Sequence, residues 1–353
     1  METYPSLYER ISKRPRTWLV TGAAGFIGSH LTEALLGHGQ KVIGLDNFST
    51  GRHENLAQVA QIVGEARWGN FRLLEGDIRS LATCREACAG VEIVLHQAAL
   101  GSVPRSIDDP VSSNDANVSG FLNMLVAARD AGVQRFVYAS SSAVYGDHPA
   151  LPKVEDTIGR PLSPYGLTKY VDELYAQIFS RCYGFDSIGL RYFNVFGPRQ
   201  DPESDYAAVI PCWIAAMIRN HTAYINGDGK TARDFCYVDN AVLANLLAAT
   251  VDDPAALNQV YNVALSEQTS LSELFEMIRS LLALRFAHVK NVRPVHREER
   301  KGDVRFSQAD ITKARRFLGF RPVCRVRHGL ERTVQWYAAH LAAQEAARRV
   351  AHA

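Results

Sequence analysis

Tyr165 and Lys169 stand four residues apart in the run Tyr165-Gly166-Leu167-Thr168-Lys169. At the start of a helix that spacing puts both side chains on one face. A phenol stays protonated to about pH 10 and is a poor base at neutrality. A neighbouring ammonium favours the phenolate and makes proton abstraction from a hydroxyl feasible. Tyr-x-x-x-Lys alone is common by chance. The serine run Ser140-Ser141-Ser142, at the end of an expected strand, adds hydroxyls that can hydrogen-bond a substrate alcohol at the same rim.

A second group of residues suits a dinucleotide. Gly22, Gly25 and Gly28 form GxxGxxG in Gly22-Ala23-Ala24-Gly25-Phe26-Ile27-Gly28, after one expected strand and opening a helix. Such glycines permit a tight turn and close backbone approach, so a pyrophosphate can rest on the helix N-terminus. The next strand ends in Leu45-Asp46-Asn47. A carboxylate there can accept from the adenosine ribose hydroxyls and repels a 2′-phosphate. NAD is therefore expected over NADP, with Arg52 nearby as the residue arguing the other way. Gly76-Asp77-Ile78 and His96-Gln97-Ala98-Ala99 close the third and fourth expected strands. Open parallel sheets bind ligands at such strand ends.

The elements that must hold these residues alternate. Thr17–Thr21, Lys41–Leu45, Phe71–Leu74, Val91–Leu95, Phe136–Ala139 and Ser187–Arg191 read as strands; Ser29–Leu36, Val111–Ala131 and Tyr165–Tyr183 read as helices. That pattern implies an α/β, Rossmann-type doubly wound parallel sheet. Residues 1–16 read as an N-terminal extension, with Tyr4, Leu7, Tyr8 and Ile11 at helical spacing, packing on the main domain. Residues 17–195 would form the nucleotide-binding domain. Residues 196–343 would be mainly a smaller mixed α/β substrate-binding lobe, with some elements returning to the first domain, and 344–353 a tail. Leu271–Leu284 and Asp310–Leu318 are the helical stretches expected there.

Composition narrows the function classes. Of 353 residues, 39 are Lys or Arg and 37 Asp or Glu, a formal charge of +2, so no basic field favours nucleic acid. Six cysteines show no CxxC pair and no zinc spacing, so no metal is expected. METYPSLYERISKRPR lacks the apolar core of a signal peptide, and no run approaches the ~18 apolar residues of a membrane span. A soluble cytoplasmic protein is expected.

TGAAGFIGSH, Asp46, HQAA, SSSAVYG, SPYGLTK and RYFNVFGPR occur in the order seen in extended short-chain dehydrogenase/reductases, and the likeness covers nearly all of residues 17–340. The chain resembles the nucleotide-sugar 4-epimerases. LGSVPRS, SSSAVYGDHPALPKVEDT and YAAVIPCWI are especially similar to the UDP-N-acetylglucosamine 4-epimerases of bacterial surface-polysaccharide pathways. The resemblance implies that Tyr165 takes the C4 hydroxyl proton while hydride passes to NAD, and that the 4-keto sugar turns over and is reduced on its other face. Lys169 would stabilise the phenolate and hold the nicotinamide ribose. Ser141 and Ser142 would both meet the sugar. Ile27, Asn117 and Ser140 join the implied cofactor contacts, with Tyr192 near the nicotinamide. Asn194, Arg233 and Arg300 would hold the diphosphate, Asp303 the nucleotide ribose, and Ala208, Val209, Tyr224 and Ile225 the uracil end. Arginine suits a diphosphate because its planar fork makes bidentate contacts. Homologues commonly pair as homodimers through two long helices, here Val111–Ala131 and Tyr165–Tyr183.

Dehydratases of the superfamily carry Thr-Asp-Glu where this chain has Ser141-Ser142-Ala143, so loss of water is disfavoured. Ser307 stands where epimerases confined to unacetylated hexoses carry tyrosine, and Gly101-Ser102 replace bulkier residues near the sugar. Less volume in a packed wall leaves room for a 2-acetamido group. UDP-GlcNAc and UDP-GalNAc are thus the expected pair, with UDP-glucose and UDP-galactose beside them. Three alternatives stay open: an epimerase of the corresponding uronates, with Arg105 as carboxylate partner; a UDP-glucuronate decarboxylase; and a non-catalytic NAD-binding regulator.

Overall fold

Short apolar runs such as Thr17–Thr21 and Ile93–His96 are buried on both faces, as interior parallel strands must be. The computed structural model describes residues 4–204, 206–299 and 304–351, the side chains of residues 4 and 342–351 excepted. Seven parallel strands form one sheet: β1 (Thr17–Thr21), β2 (Lys41–Asp46), β3 (Phe71–Glu75), β4 (Ile93–His96), β5 (Arg135–Ser141), β6 (Ser187–Tyr192) and β7 (Gln259–Val263). Their order is 7-6-5-4-1-2-3. The direction of winding reverses between β1 and β4, which pair from Trp18–Ile93 to Thr21–His96. Ligands of such sheets lie outside the strand ends at this reversal.

One face of the sheet is covered by the helices Leu81–Cys88, Gly120–Asp130 and Pro164–Tyr183, through Cys84, Phe121, Met124 and Phe179. The other face carries Phe26–Gly37 and Val238–Thr250, packed through Leu31, Leu35, Leu243 and Leu247. The helix Tyr4–Lys13 joins this second face: Leu7 and Ile11 are buried, and Tyr8 stacks on His38 at 4.4 Å. A separate apolar cluster unites the helices Val209–Ile218, Leu271–Ala283 and Val326–Ala351 around Trp213, Phe275 and Tyr337. Its first strands are two or three residues long, and the parallel pair Tyr224–Asn226 with Val295–Arg297 is typical. β7 lies beyond these elements in sequence yet pairs with β6 from Gln259–Ile188 to Val263–Tyr192.

The sequence reading omits the strand Gln259–Val263 and the helices Val238–Thr250 and Val326–Ala351, and it differs from the fold at one helix that it does name. Residues 111–131 do not form a continuous α-helix. Pro110–Asn114 is α-helical, Asp115–Ser119 is a π-turn, and the α-helix resumes at Gly120. No described helix is long and apolar enough to cross a membrane.

Candidate active site

Gly22, immediately after β1, has φ +67°, and a Cβ there would lie 3.0 Å from the Ala98 amide nitrogen. At Gly28 a Cβ would fall 1.9 Å from the Gly22 carbonyl oxygen. The first glycine permits the turn; the third lets the helix Phe26–Gly37 pack against it. No side chain caps that helix at Gly25, so its first amides keep their capacity to bind an anion. Asp46, at the end of β2, accepts from the Ala24 and Phe48 amides, both at 2.8 Å, and burial holds its carboxyl above the usual range. Arg52 is turned away from this carboxylate and pairs with Asp201 at 2.5 Å. Asn47 donates to Asp77 at 2.8 Å, and Arg79 grips the same carboxylate, lowering it to about 2. These residues open onto a cavity of about 780 Å³.

The chemical groups lie on the far wall of that cavity. Ser163 caps the helix Pro164–Tyr183 by accepting from the Gly166 amide at 3.1 Å, and Pro164 occupies its first position. The Tyr165 amide donates to Ser106 Oγ at 3.0 Å, tying the helix start to the short helix Val103–Asp108 that follows β4. Lys169 is buried, with Nζ 3.2 Å from Asp172 Oδ2. Ser140 donates to Glu173 at 2.5 Å, and Glu173 is held at both oxygens by Arg191. Ser141 Oγ accepts from the Ala143 amide at 3.1 Å and caps the short 3₁₀ turn that carries Ser142. Tyr192 donates to Gln97 at 3.0 Å and accepts from Asn245 at 2.7 Å.

One cavity thus brings together Gly22, Gly25, Phe26, Ile27, Gly28, Asp46, Asn47, Asp77, Ile78, Gln97, Ala98, Ala99, Gly101, Ser140, Ser141, Ser142, Tyr165, Lys169, Tyr192, Asn194, Arg233 and Ser307. Ala208, Val209 and Tyr224 line a second cavity of about 430 Å³, and Asn194 and Arg233 border both. The two cavities share Asn194, Val195 and Arg233 in their linings, where the smaller lobe begins.

Three expected contacts fall outside these linings. Asn117 is buried and binds within the chain, accepting from the Leu100 amide at 2.7 Å and donating to the Leu100 carbonyl and to Thr168, both at 3.1 Å. Its amide holds Leu100 and the helix Pro164–Tyr183 together. Ser102 caps the helix Val103–Asp108 at a strained φ of 127°. Ile225 points into the apolar core of the lobe. Arg300 and Asp303 lie outside the described residues.

Lys153 and Arg297 line these cavities without having stood out in the sequence. Lys153 donates to the His148 carbonyl, and its backbone bridges to Ala309. Arg297 lies over the Tyr224 ring, 3.1 Å from its centroid. Both are placed by long-range pairings that no local motif announces.

Residues 18–264 match the family described as the NAD dependent epimerase/dehydratase family. The chain belongs to that family. A putative UDP-glucose 4-epimerase of Methanocaldococcus jannaschii is 38% identical over 319 residues, 90% of this chain and 97% of its own. UDP-glucuronate 4-epimerase 3 of Arabidopsis thaliana is 33% identical over 340 residues, covering 92% and 77%. Among solved structures, a UDP-N-acetylglucosamine 4-epimerase of Methanobrevibacter ruminantium, in complex with UDP-N-acetylmuramic acid, superposes with a TM-score of 0.84. It is 36% identical, over 93% of this chain and 99% of that one. The Gly22–Gly28 cradle, the uncapped helix and Asp46 fit the NAD on which this family of epimerases depends.

Proposed function

We propose that this UDP-sugar 4-epimerase interconverts UDP-N-acetylglucosamine and UDP-N-acetylgalactosamine. The observation that carries the N-acetyl reading is Ser307. It lines the same cavity as Tyr165, Ser141 and Ser142, and its small side chain leaves that cavity without the bulk of a tyrosine. Gly101 adds no bulk on the same cavity.

The roles follow from the chemistry of each group. Tyr165 removes the proton from the C4 hydroxyl, with Lys169 one helical turn on as the cation assigned to the same step. Ser141 and Ser142 hydrogen-bond the sugar oxygen as it becomes a carbonyl. NAD, when bound, supplies the hydride acceptor that makes this oxidation reversible. Asn194 and Arg233, where the cavities meet, hold the diphosphate while the sugar turns. Ala208, Val209 and Tyr224 form the wall for the uracil end.

The test is direct. Purified protein is incubated with UDP-GlcNAc and, separately, with UDP-glucose, and both are followed by proton NMR. UDP-GalNAc should form faster than UDP-galactose. Ser307→Tyr should lower kcat/KM for UDP-GlcNAc by about 10- to 100-fold, the scale of a filled pocket, and spare UDP-glucose. Conversion of UDP-glucose alone by the unmodified enzyme would sink the N-acetyl reading.

A uronate reading has one observation in its favour. Lys153 is buried, lines the cavity and forms no ion pair among the described residues. An ammonium so placed would suit a C6 carboxylate. Arg105, the other candidate, instead stacks its guanidinium over Tyr206 at 5.1 Å. Adding the UDP-uronate to the same NMR assay separates the two readings.

We also propose that two copies associate through the outer face of the helix Pro164–Tyr183. Leu167, Leu174 and Ile178 recur at seven and four residues, and each leaves 40% or more of its surface exposed. Val111, on the helix Pro110–Asn114, is 69% exposed. An apolar stripe of this kind marks an association face, and the second copy completes a bundle of like helices.

A further inference from the structure

Asp172 lies one turn beyond Lys169 on the helix Pro164–Tyr183 and is fully buried. Its Oδ2 accepts from Lys169 Nζ at 3.2 Å, and its Oδ1 has no hydrogen-bond partner among the described residues. A buried carboxylate with one oxygen unsatisfied is costly. Among the described residues its one ion pair is with Lys169, so the compensation on view comes through that lysine. The neighbouring Glu173 is engaged elsewhere, by Arg191 and Ser140.

We propose that Asp172 is a positioning residue that anchors the Lys169 ammonium and thereby sets how strongly it acts on Tyr165. The proposal rests on the roles assigned above to Tyr165 and Lys169. The groups facing this pair come from three elements. On the helix itself it is Glu173, which faces Asp172. From β5, Tyr138 faces both acids and is held well above the usual phenol range, by burial first and then by Glu173 and Asp172. From β4, His96 faces Lys169 and is pushed down to about 3 by burial, with Lys169 adding to the effect. It is therefore neutral wherever the enzyme works. Burial pushes the Asp172 carboxyl upward against the pull of Lys169. Neighbours this close titrate as a coupled set.

The sign follows from electrostatics. An ionised Asp172 offsets part of the ammonium's effect on the phenol. Removing that negative charge leaves the ammonium acting undiminished, which favours the phenolate. It also removes the anchor that holds the ammonium in place.

Asp172→Asn preserves shape and removes charge. Steady-state epimerisation of UDP-GlcNAc is followed from pH 5.5 to 9.5 in both proteins, and the affinity for NAD+ is measured by calorimetry. The acid limb of kcat should move to lower pH by about one unit, and plateau kcat should fall about three- to tenfold. KM for the UDP-sugar should stay within about twofold, because Asp172 lies away from the UDP wall. NAD+ affinity should weaken at least about threefold, since Lys169 is also the proposed ribose contact. An unmoved acid limb, whether kcat is unchanged or uniformly reduced, would overturn the proposal. Asp172→Ser serves the same comparison where the asparagine variant does not fold. Should the unmodified enzyme turn over no UDP-sugar, the functional reading fails. NAD+ affinity then decides this proposal alone, a weakened value supporting it and an equal value overturning it.

Discussion

His96 closes β4 with its ring fully buried, and Thr21 Oγ1 lies 2.9 Å from its Nδ1. That hydroxyl already accepts from the Gln97 and Ala98 amides, both at 3.1 Å. Its own proton therefore goes to Nδ1, and the ring carries its hydrogen on Nε2. The residue holds the strand end where the dinucleotide is expected, and does no proton chemistry there. A consequence for stability follows. The imidazole is lowered from 6.5 to about 3, chiefly by burial. Between those values the unfolded chain binds a proton that the native chain refuses. Stability therefore rises with pH across that window, and is lost as pH falls from 6.5 towards 3, by up to about 1.4 kcal/mol per pH unit. His96→Asn keeps a polar atom towards Thr21 and removes the titration. Urea midpoints at pH 7 and pH 5 should fall less for the variant than for the unmodified protein. Equal falls would assign the acid sensitivity to other groups.

At the scale of elements, the π-turn Asp115–Ser119 explains how the cavity rim is built. It interrupts what the apolar pattern presents as one helix from Val111 to Ala131. Inserted turns of this kind recur at functional sites because they re-aim side chains. Here Asn117 is delivered to both backbone groups of Leu100 and to Thr168, three residues after Tyr165. Asn117→Ala would leave the Leu100 amide and carbonyl without these partners, costing about 1–3 kcal/mol. Because Leu100 lines the cavity, NAD+ affinity should fall with stability. Chemical denaturation and calorimetry on one sample would test this; a stability loss with unchanged cofactor affinity would confine Asn117 to a structural role. The helix Val238–Thr250 makes a related point. Eleven of its thirteen residues are buried, so it has no polar face and no period of 3.6 to reveal it.

At the scale of the molecule, the proposed reacting groups come from the end of β5 and from the helix Pro164–Tyr183, and the proposed UDP wall from the smaller lobe. Strand β7 returns from beyond the first part of that lobe to pair with β6. The lobe is therefore pinned on both sides of its short strands, and the cavity wall at Arg233 and Ser307 is attached to the main sheet rather than hinged from one linker. The exposed stripe of Leu167, Leu174 and Ile178 runs along the helix that carries Tyr165 and Lys169. Association there would bury the catalytic helix's outer face. The double variant Leu174→Asp, Ile178→Asp should run as a monomer in light scattering while the unmodified chain runs as a dimer. A monomeric unmodified chain would leave the stripe without its proposed partner.

The sequence by itself determined the parts whose information is local. Glycine turns, alternating strands and helices, the Tyr165–Lys169 spacing and the serine run are written within a few residues, because backbone geometry and helical periodicity act over short distances. The doubly wound class and the strand ends follow from them, since parallel connections allow few topologies; the seventh strand, Gln259–Val263, lies far along the chain and is not among the six strands read from the sequence. Only the tertiary structure decided what depends on distant pairings. Lys153 reaches the cavity through a bridge to Ala309, and Arg297 through the pairing with residues 224–226. Asn117 clamps Leu100 through an inserted turn that leaves no mark in the apolar pattern. Asp172 is three residues from Lys169 in the sequence, yet its significance lies in burial, and burial is set by the whole fold packed around it.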